Sequence, residues 1–217
     1  MKIAELSRRT GAPVATLKYY LREGLLTPGV ATAINQANYE EAHVRRVKLV
    51  RALVELGRLS IADARRVLEA VDDDSLPMHE AFGAAQDAMV PSRERDGPHY
   101  ESAFAEVESF VRRHRLAVRH DAAVRGLLAD ALVYLTEFGW GPPGGVADSA
   151  MFDALMPRIL ADAAAEVAFV PGDLDRSAQV EFSVVGTVAF EVAGDALRRM
   201  ALEHASKARF GRARPKR

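Results

Sequence analysis

Apolar residues recur every three or four positions at the start of the chain, in two short runs. The first run predicts a helix over residues 3–10 that ends at Gly11, because glycine readily takes the left-handed conformation that closes a helix. The second predicts a helix from Val14 to Glu23, preceded by Pro13, whose fixed φ suits the start of a helix. Two short helices joined by such a turn form a helix-turn-helix.

The helical spacing of apolar residues is interrupted over residues 30–38 and resumes from Tyr39. Residues 30–38, here called the wing, carry no charge, and we expect them to form a small hairpin or loop. A helical period returns from Tyr39 and stops at Gly57, and a fourth helix starts at Ser60 with a spacing like that of a capping box. An acidic segment that ends in proline then breaks the pattern. We therefore predict a winged helix-turn-helix domain over residues 1–71.

The rest of the chain is also helical in pattern, so the predicted fold class is all-α, with β structure only in the wing. Apolar faces predict helices near Tyr100 and Val124, a helical stretch bent or broken at Pro157, and one long helix over residues 175–206. Glycine and proline predict a loop over residues 139–145. The predicted organisation is the winged domain 1–71, a connecting segment 72–98, a helical domain 99–206 and a basic tail 207–217.

Charge is segregated along the chain, although the net charge is only −1. Residues 1–71 hold 12 lysines and arginines against 7 acidic residues, whereas residues 72–206 hold 11 against 23. A basic head on an acidic body is typical of a chain whose head meets a polyanion. The chain has no cysteine, no signal-peptide pattern and no apolar stretch long enough for a bilayer, so we expect a cytoplasmic protein without disulfides or thiolate metal sites.

One run of residues is more specific than a general helix-turn-helix pattern. Residues 19–26 read Tyr-Tyr-Leu-Arg-Glu-Gly-Leu-Leu and stand just after the predicted turn. This run, together with residues 3–6, 10–11, 16–18, 28, 39 and 50–57, resembles the N-terminal domain of MerR-family transcriptional regulators. The resemblance covers about a third of the chain.

The resemblance implies a function as well as a fold. Members of this family are homodimers that place the second helix of each subunit in the major groove of double-stranded DNA and the wing on the flanking backbone. A long helix after the DNA-binding domain joins the two halves. Many activate a promoter together with RNA polymerase, by distorting the DNA once an effector binds the C-terminal domain, and some act as repressors.

The side chains of the second helix suit this role. Lysine, arginine and threonine can bind phosphates or base edges, and a tyrosine hydroxyl can reach a phosphate. Tyr19 and Tyr20 have the alternative of packing in the small core. The predicted DNA-binding residues are Arg8, Val14, Ala15, Thr16, Lys18, Tyr19, Tyr20, Arg22, Asn38 and Tyr39.

The wing departs from the family pattern. Members usually carry a Gly-Tyr-Arg turn whose arginine binds phosphate, and here residues 31–39 contain no arginine. Asn38 is its nearest substitute. Arg8, Arg9, Arg45 and Arg46 could supply part of the missing charge.

The acidic body contains no set of residues typical of catalysis. Its histidines are scattered without the spacing of a metal site, and the glycine run lacks the lysine and hydroxyl of a phosphate loop. We therefore predict no enzyme activity, no metal and no cofactor. An enzyme fused to a DNA-binding head is conceivable, but no residues support it.

Aromatic residues near the loop of residues 139–145 suggest a small-molecule site. Tyr134, Phe138, Trp140 and Phe152 could line a pocket for a small apolar or aromatic effector, or could simply pack between helices. The predicted function is a DNA-binding transcriptional regulator gated by such an effector. The alternatives are a repressor or activator that needs no ligand and an architectural DNA-binding protein.

Overall fold

The computed structural model describes residues 1–33, 36–91 and 93–211. Within these residues the chain is mainly helical, with one two-stranded sheet, which confirms the predicted fold class. Two residues of the wing, the linker residue Ser92 and residues 212–217 of the basic tail lie outside the described part. The chain divides into two compact units, residues 1–61 with the segment from Glu181 onward, and residues 62–180. The four-part domain organisation stays a prediction.

Nine α-helices and two strands make up the described residues. In chain order they are α1 (Ile3–Thr10), α2 (Val14–Arg22), β1 (Val30–Ala33), β2 (Gln36–Asn38), α3 (Glu41–Arg51), α4 (Ile61–Asp72), α5 (Met78–Met89), α6 (Tyr100–Arg113), α7 (Ala123–Glu137), α8 (Met156–Ala168) and α9 (Arg176–Phe210). A π-helical turn, Ala52–Leu56, continues α3, and a short 3₁₀ helix, Ser149–Phe152, precedes α8. Strands β1 and β2 pair antiparallel, with Val30 opposite Asn38.

The first unit has an aliphatic core shared by α1, α2 and α3. Leu6, Leu17 and Val47 are fully buried, as are Val50 and Leu53 further along α3 and its π-helical turn. Helices of eight or nine residues such as α1 and α2 are too short to be stable alone, so this shared core is what makes them helical.

The first third of α9 also packs in the first unit. Val184 and Val188 on α9 are buried. Arg45 on α3 donates from Nε to the Glu181 carboxylate at 3.2 Å, and the Glu181 side chain is only 10% exposed. The resemblance implied a long helix directly after the winged domain, whereas α5 there has 12 residues and the longest described helix, with 35 residues, is α9.

The second unit is built around α6 and α7. Ala103 and Val107 on α6 pack with Ala129 and Leu132 on α7. The residues before α6 are tied to α7 by a buried carboxylate: Asp130, 8% exposed, accepts from Arg93 at 2.7 Å and from Arg95 at 3.1 Å.

The absence of a side chain at Gly126 leaves space for the Arg95 guanidinium that binds Asp130. A Cβ at this position would lie 2.8 Å from Nε of Arg95, closer than real contacts allow. The end of the predicted connecting segment is therefore held against α7 through Arg93 and Arg95.

Three predicted boundaries shift by a few residues. The helical stretch expected to bend or break at Pro157 divides just before it: the 3₁₀ helix ends at Phe152 and α8 begins at Met156, so the proline lies in the first turn of α8, where it removes no helical hydrogen bond. Pro13 is the N-cap of α2, and the helix expected from Tyr39 begins at Glu41. The long final helix is confirmed.

Removing the buried carboxylate tests how the second unit is held together. We expect Asp130→Ala to lower the free energy of unfolding by about 2 kcal/mol, because two charge-assisted hydrogen bonds to a buried carboxylate are lost. Urea unfolding followed by circular dichroism measures this. Glu137→Ala, at an exposed site on the same helix, should change it by less than about 0.5 kcal/mol. Equal effects of the two changes would contradict the structural role of Asp130.

Candidate nucleic-acid interface

The turn between α1 and α2 is fixed by local hydrogen bonds. Gly11 has φ 68°, and its N–H donates to the Ser7 carbonyl at 2.9 Å. The Ser7 hydroxyl donates to the Ala12 carbonyl at 2.6 Å, and the Thr10 hydroxyl donates to the Leu6 carbonyl at 2.7 Å. This turn determines the angle at which α2 leaves α1.

Arg51 on α3 braces the same turn from the other side. Its Nη1 donates to the Thr10 carbonyl at 2.5 Å, and its Nε and Nη2 donate to the Glu55 carboxylate at 2.8–3.0 Å. These hydrogen bonds lower the pKa of Glu55. Sequence reasoning missed Arg51, because its contact with Thr10 joins residues far apart in the chain.

Helix α2 presents a polar face to solvent. Ala15, Lys18 and Arg22 are exposed and Tyr19 is half-buried, and these four positions follow the three- and four-residue spacing of one helix face. The Arg22 guanidinium lies 5.2 Å from the centre of the Tyr19 ring, a cation–π distance. Val14 and Thr16 are half-buried. Four of the seven predicted DNA-binding residues on α2 thus share one accessible surface, here called the α2 face (Ala15, Lys18, Tyr19 and Arg22).

Two predicted DNA contacts are buried. Tyr20 is 3% exposed and Tyr39 is 6% exposed, so both rings pack in the core of the first unit. Burial raises the pKa of Tyr20. Tyr39 also joins the wing to the start of the chain, since its N–H donates to the Met1 carbonyl at 2.8 Å. We therefore drop both hydroxyls as candidates for phosphate binding.

The wing has a cation that sequence reasoning missed. Lys2 is exposed, and its Nζ donates to the Thr32 hydroxyl of β1 at 2.8 Å. Asn38, the predicted substitute for the missing wing arginine, is exposed at the end of β2. No local sequence signal connects Lys2 with Thr32, because the two residues are 30 positions apart and meet only in the folded chain.

The arginines of α1 have different surroundings. Arg9 makes two hydrogen bonds of 2.7 Å to the Glu41 carboxylate at the start of α3, and these lower the pKa of Glu41. Arg8 pairs with Glu5 on its own helix, and its side chain is 77% exposed. Arg8 is thus exposed to solvent, whereas Arg9 helps to hold α1 against α3.

The aromatic residues predicted to line an effector pocket are mostly exposed. Phe138 is 81% exposed, Trp140 68% and Tyr134 55%, because they lie on the outward side of α7 and in the loop that follows it. Phe152 is half-buried and packs against the core of the second unit. Within the chain these four side chains do not form an enclosed pocket.

The residues that the structure describes contain neither a candidate membrane span nor a candidate metal cluster. No helix there is both long and apolar enough to cross a membrane. No group of three or more histidine, aspartate or glutamate side chains in those ranges is arranged to hold a metal ion.

The N-terminal third of the chain is similar in sequence to known proteins. The model of the MerR HTH family of regulatory proteins matches residues 1–71. The nodulation protein NolA of Bradyrhizobium elkanii is 38% identical over 68 residues, 31% of this chain and 31% of that protein. The HTH-type transcriptional regulator ZntR homolog of Haemophilus influenzae is 36% identical over 50 residues, 23% of this chain and 37% of that protein. The matched segment spans only about a third of these curated relatives.

One solved structure is similar over the whole chain. It is the crystal structure of SCO5550, a candidate transcriptional regulator of Streptomyces coelicolor A3(2). The similarity covers 99% of this chain and 100% of that chain, with a TM-score of 0.74 and 32% sequence identity.

Removing the brace on the turn should loosen α2. We expect Arg51→Met, which keeps the aliphatic length but loses the hydrogen bond to Thr10, to lower the free energy of unfolding by about 1–2 kcal/mol in a denaturant titration. Lys48→Met, at an exposed site on the same helix, is the matched control and should stay within about 0.5 kcal/mol of the wild type. If Arg51→Met is as stable as the control, the brace is not needed.

Proposed function

The chain belongs to the MerR family of transcriptional regulators, and we propose that it binds a promoter operator as a homodimer through the α2 face. The observation that carries this proposal is the accessible row of Ala15, Lys18, Tyr19 and Arg22 on a helix whose other side is buried. Such a helix can enter the major groove of double-stranded DNA with its exposed side chains toward the base edges.

The exposed side chains divide into two roles. Lys18 and Arg22 would bind phosphates or the acceptors of guanine, and Ala15 and Thr16 would contact base edges or a thymine methyl group. Tyr19 supports Arg22 through the ring contact described above. Arg8, which is exposed on α1, would add a phosphate contact.

The wing would contact the flanking backbone through Lys2 and Asn38. Lys2 is held at β1 by Thr32, so it adds a charge to a wing that lacks the arginine of the family pattern. A lysine binds phosphate as a point charge, without the two parallel hydrogen bonds that an arginine makes. We therefore expect the wing to contribute affinity and little sequence preference.

The exposed surface of α9 supports a dimer. Every residue from Phe190 to Gly211 is exposed, including large apolar side chains such as Leu197 at 63% and Met200 at 59%. Several large apolar side chains exposed along one helix favour association with another chain. A dimer also supplies the two DNA-binding heads that two half-sites require. RNA polymerase at the promoter would be the further partner.

A regulator that needs no ligand is the second candidate. The exposure of Phe138, Trp140 and Tyr134 favours it, because a small organic effector needs an enclosed, mostly apolar site. The effector-gated form of the proposal therefore requires a pocket that these rings do not form within one chain.

Neutralising the α2 face tests the DNA-binding proposal. We expect Lys18→Gln and Arg22→Gln each to weaken operator binding, by roughly 1–3 kcal/mol for a lost base contact, or to reduce the salt dependence by about one charge for a lost phosphate contact. Lys2→Gln should reduce the salt dependence and leave sequence preference unchanged. Fluorescence anisotropy over a range of salt concentrations measures both quantities.

Arg112→Gln is the control, since it removes an exposed charge from α6 in the second unit. It should leave affinity and salt slope as in the wild type. The recognition assignment is excluded if Lys18→Gln and Arg22→Gln behave like this control.

The single tryptophan reports on the effector question. Trp140 is 68% exposed, so its emission should lie at the long wavelengths of indole in water. For a regulator without ligand, a library of small apolar and aromatic compounds should change neither this emission nor operator affinity. A compound that shifts the emission to shorter wavelength and changes operator affinity would establish effector gating instead.

A further inference from the structure

The basic tail (residues 207–217) is the densest run of positive charge in the chain. It holds six lysines and arginines and no acidic residue, whereas the whole chain holds 29 lysines and arginines against 30 acidic residues. Like charges so close together repel one another, and blocks of this kind are typical of arms that bind nucleic acid. The composition of the tail therefore fits a polyanionic partner.

The described residues of the tail are exposed and their cations are available. Val188 is the last buried residue of α9, and at 1.5 Å per residue Lys207 lies about 28 Å further along the helix. Among the described residues no carboxylate pairs with Lys207 or Arg209, whereas Arg199, earlier on the same helix, pairs with Asp195 at 2.8 Å. These two charges are thus not used to hold the fold together.

The tail is tethered to the unit that carries the α2 face. The first third of α9 packs in that unit through Val184 and Val188, and Glu181 binds Arg45 of α3 at 3.2 Å. Once the first unit is bound to DNA, cations on the same tether meet nearby phosphates at a high effective concentration. Weak phosphate contacts made by the tail would then add measurably to the affinity.

We propose that the basic tail binds the phosphate backbone of the DNA to which the α2 face is bound. This inference rests on the DNA binding of the proposed function and adds a contact outside α2 and the wing. Lysine and arginine neutralise phosphates and release the cations condensed on the duplex, so the contact contributes affinity that falls as the salt concentration rises. It does not read the bases, because phosphates carry no sequence information.

The chemistry of the tail favours DNA over other anionic partners. Binding to a lipid surface requires an apolar face as well as charge, and Phe210 is the one large apolar side chain among residues 207–217. An acidic protein surface offers sparse charge, and a carboxylate of the second unit such as Asp130 is already bound by arginines. Duplex DNA carries about one negative charge per 1.7 Å of helix axis, which suits a segment of such high positive charge density.

Neutralising the tail in the full-length chain tests the proposal. The probe is a fluorescent duplex of random sequence, about 40 base pairs or four helical turns long, titrated by anisotropy at salt concentrations from about 50 to 200 mM. Each phosphate contact contributes about 0.9 to the slope of log affinity against log salt, so we expect the slope to fall by about two or more and the affinity at low salt by at least about tenfold. The tail-neutral variant combines Lys207→Gln, Arg209→Gln, Arg212→Gln, Arg214→Gln, Lys216→Gln and Arg217→Gln.

The matched control keeps the charge of the tail and changes its side chains. The combination of Arg209→Lys, Arg212→Lys, Arg214→Lys and Arg217→Lys should keep the slope within about 0.5 of the wild type, because lysine binds phosphate as a point charge. Both variants should keep the helical circular dichroism signal, since glutamine and lysine are good helix formers.

The possible outcomes separate this inference from the proposed function. A tail-neutral variant with the slope and affinity of the wild type would overturn the inference and leave the α2 face as the DNA-binding surface. A wild-type chain that binds no duplex DNA would overturn both. Tail-dependent binding to vesicles of phosphatidylcholine and phosphatidylserine, with an unchanged DNA slope, would assign the tail to a lipid surface instead.

Photochemical cross-linking measures the contact directly. The chain has no cysteine, so Lys216→Cys provides a single attachment site for a benzophenone label. We expect irradiation to cross-link the labelled tail to the duplex, with a yield at least about fivefold lower when the other five basic residues of the tail are replaced by glutamine. Equal yields from the two proteins would contradict a contact made by the charges of the tail.

Discussion

The burial of one side of α2 is the constraint on which the candidate DNA-binding surface depends. Leu17 and Tyr20 on α2 are excluded from water by α1 and α3, and two helices this short would not form without that shared core. Fixing the buried side of a helix also fixes its exposed side. The α2 face is accessible because the opposite side supplies the apolar contact.

The charged residues of the first unit follow from this packing. Arg51 and Arg9 are used to hold elements together, the first through the turn between α1 and α2 and the second through Glu41 on α3. Lys18, Arg22 and Lys2 remain exposed. Some basic side chains of residues 1–71 thus stabilise the fold, and others are exposed. Only the exposed ones can bind a polyanion.

Local sequence patterns predicted many of the helices and turns, whereas contacts between residues far apart in the chain could not be predicted from them. The glycine turn, helix α2 and the long final helix each follow from residues close together in the chain. The position of Lys2 at the wing and of Arg51 against Thr10 depends on tertiary packing between residues 30 and 41 positions apart, which no local spacing encodes. Tyr20 and Tyr39 were expected at the DNA but are buried, because a tyrosine's pattern does not distinguish a core ring from a surface one. The four aromatic residues near the loop of residues 139–145 were expected to line a pocket or to pack between helices, and three of them are exposed instead.

The most direct test of the account is selection of bound fragments from random double-stranded DNA, with wild-type protein and with the Lys18→Gln, Arg22→Gln double variant. The account predicts that the wild type enriches a two-fold symmetric sequence whose half-sites are a whole number of helical turns apart, about 10 base pairs per turn. The double variant should lose that enrichment while remaining folded. Fragments without a common sequence for the wild type, or the same sequence for both proteins, would contradict it.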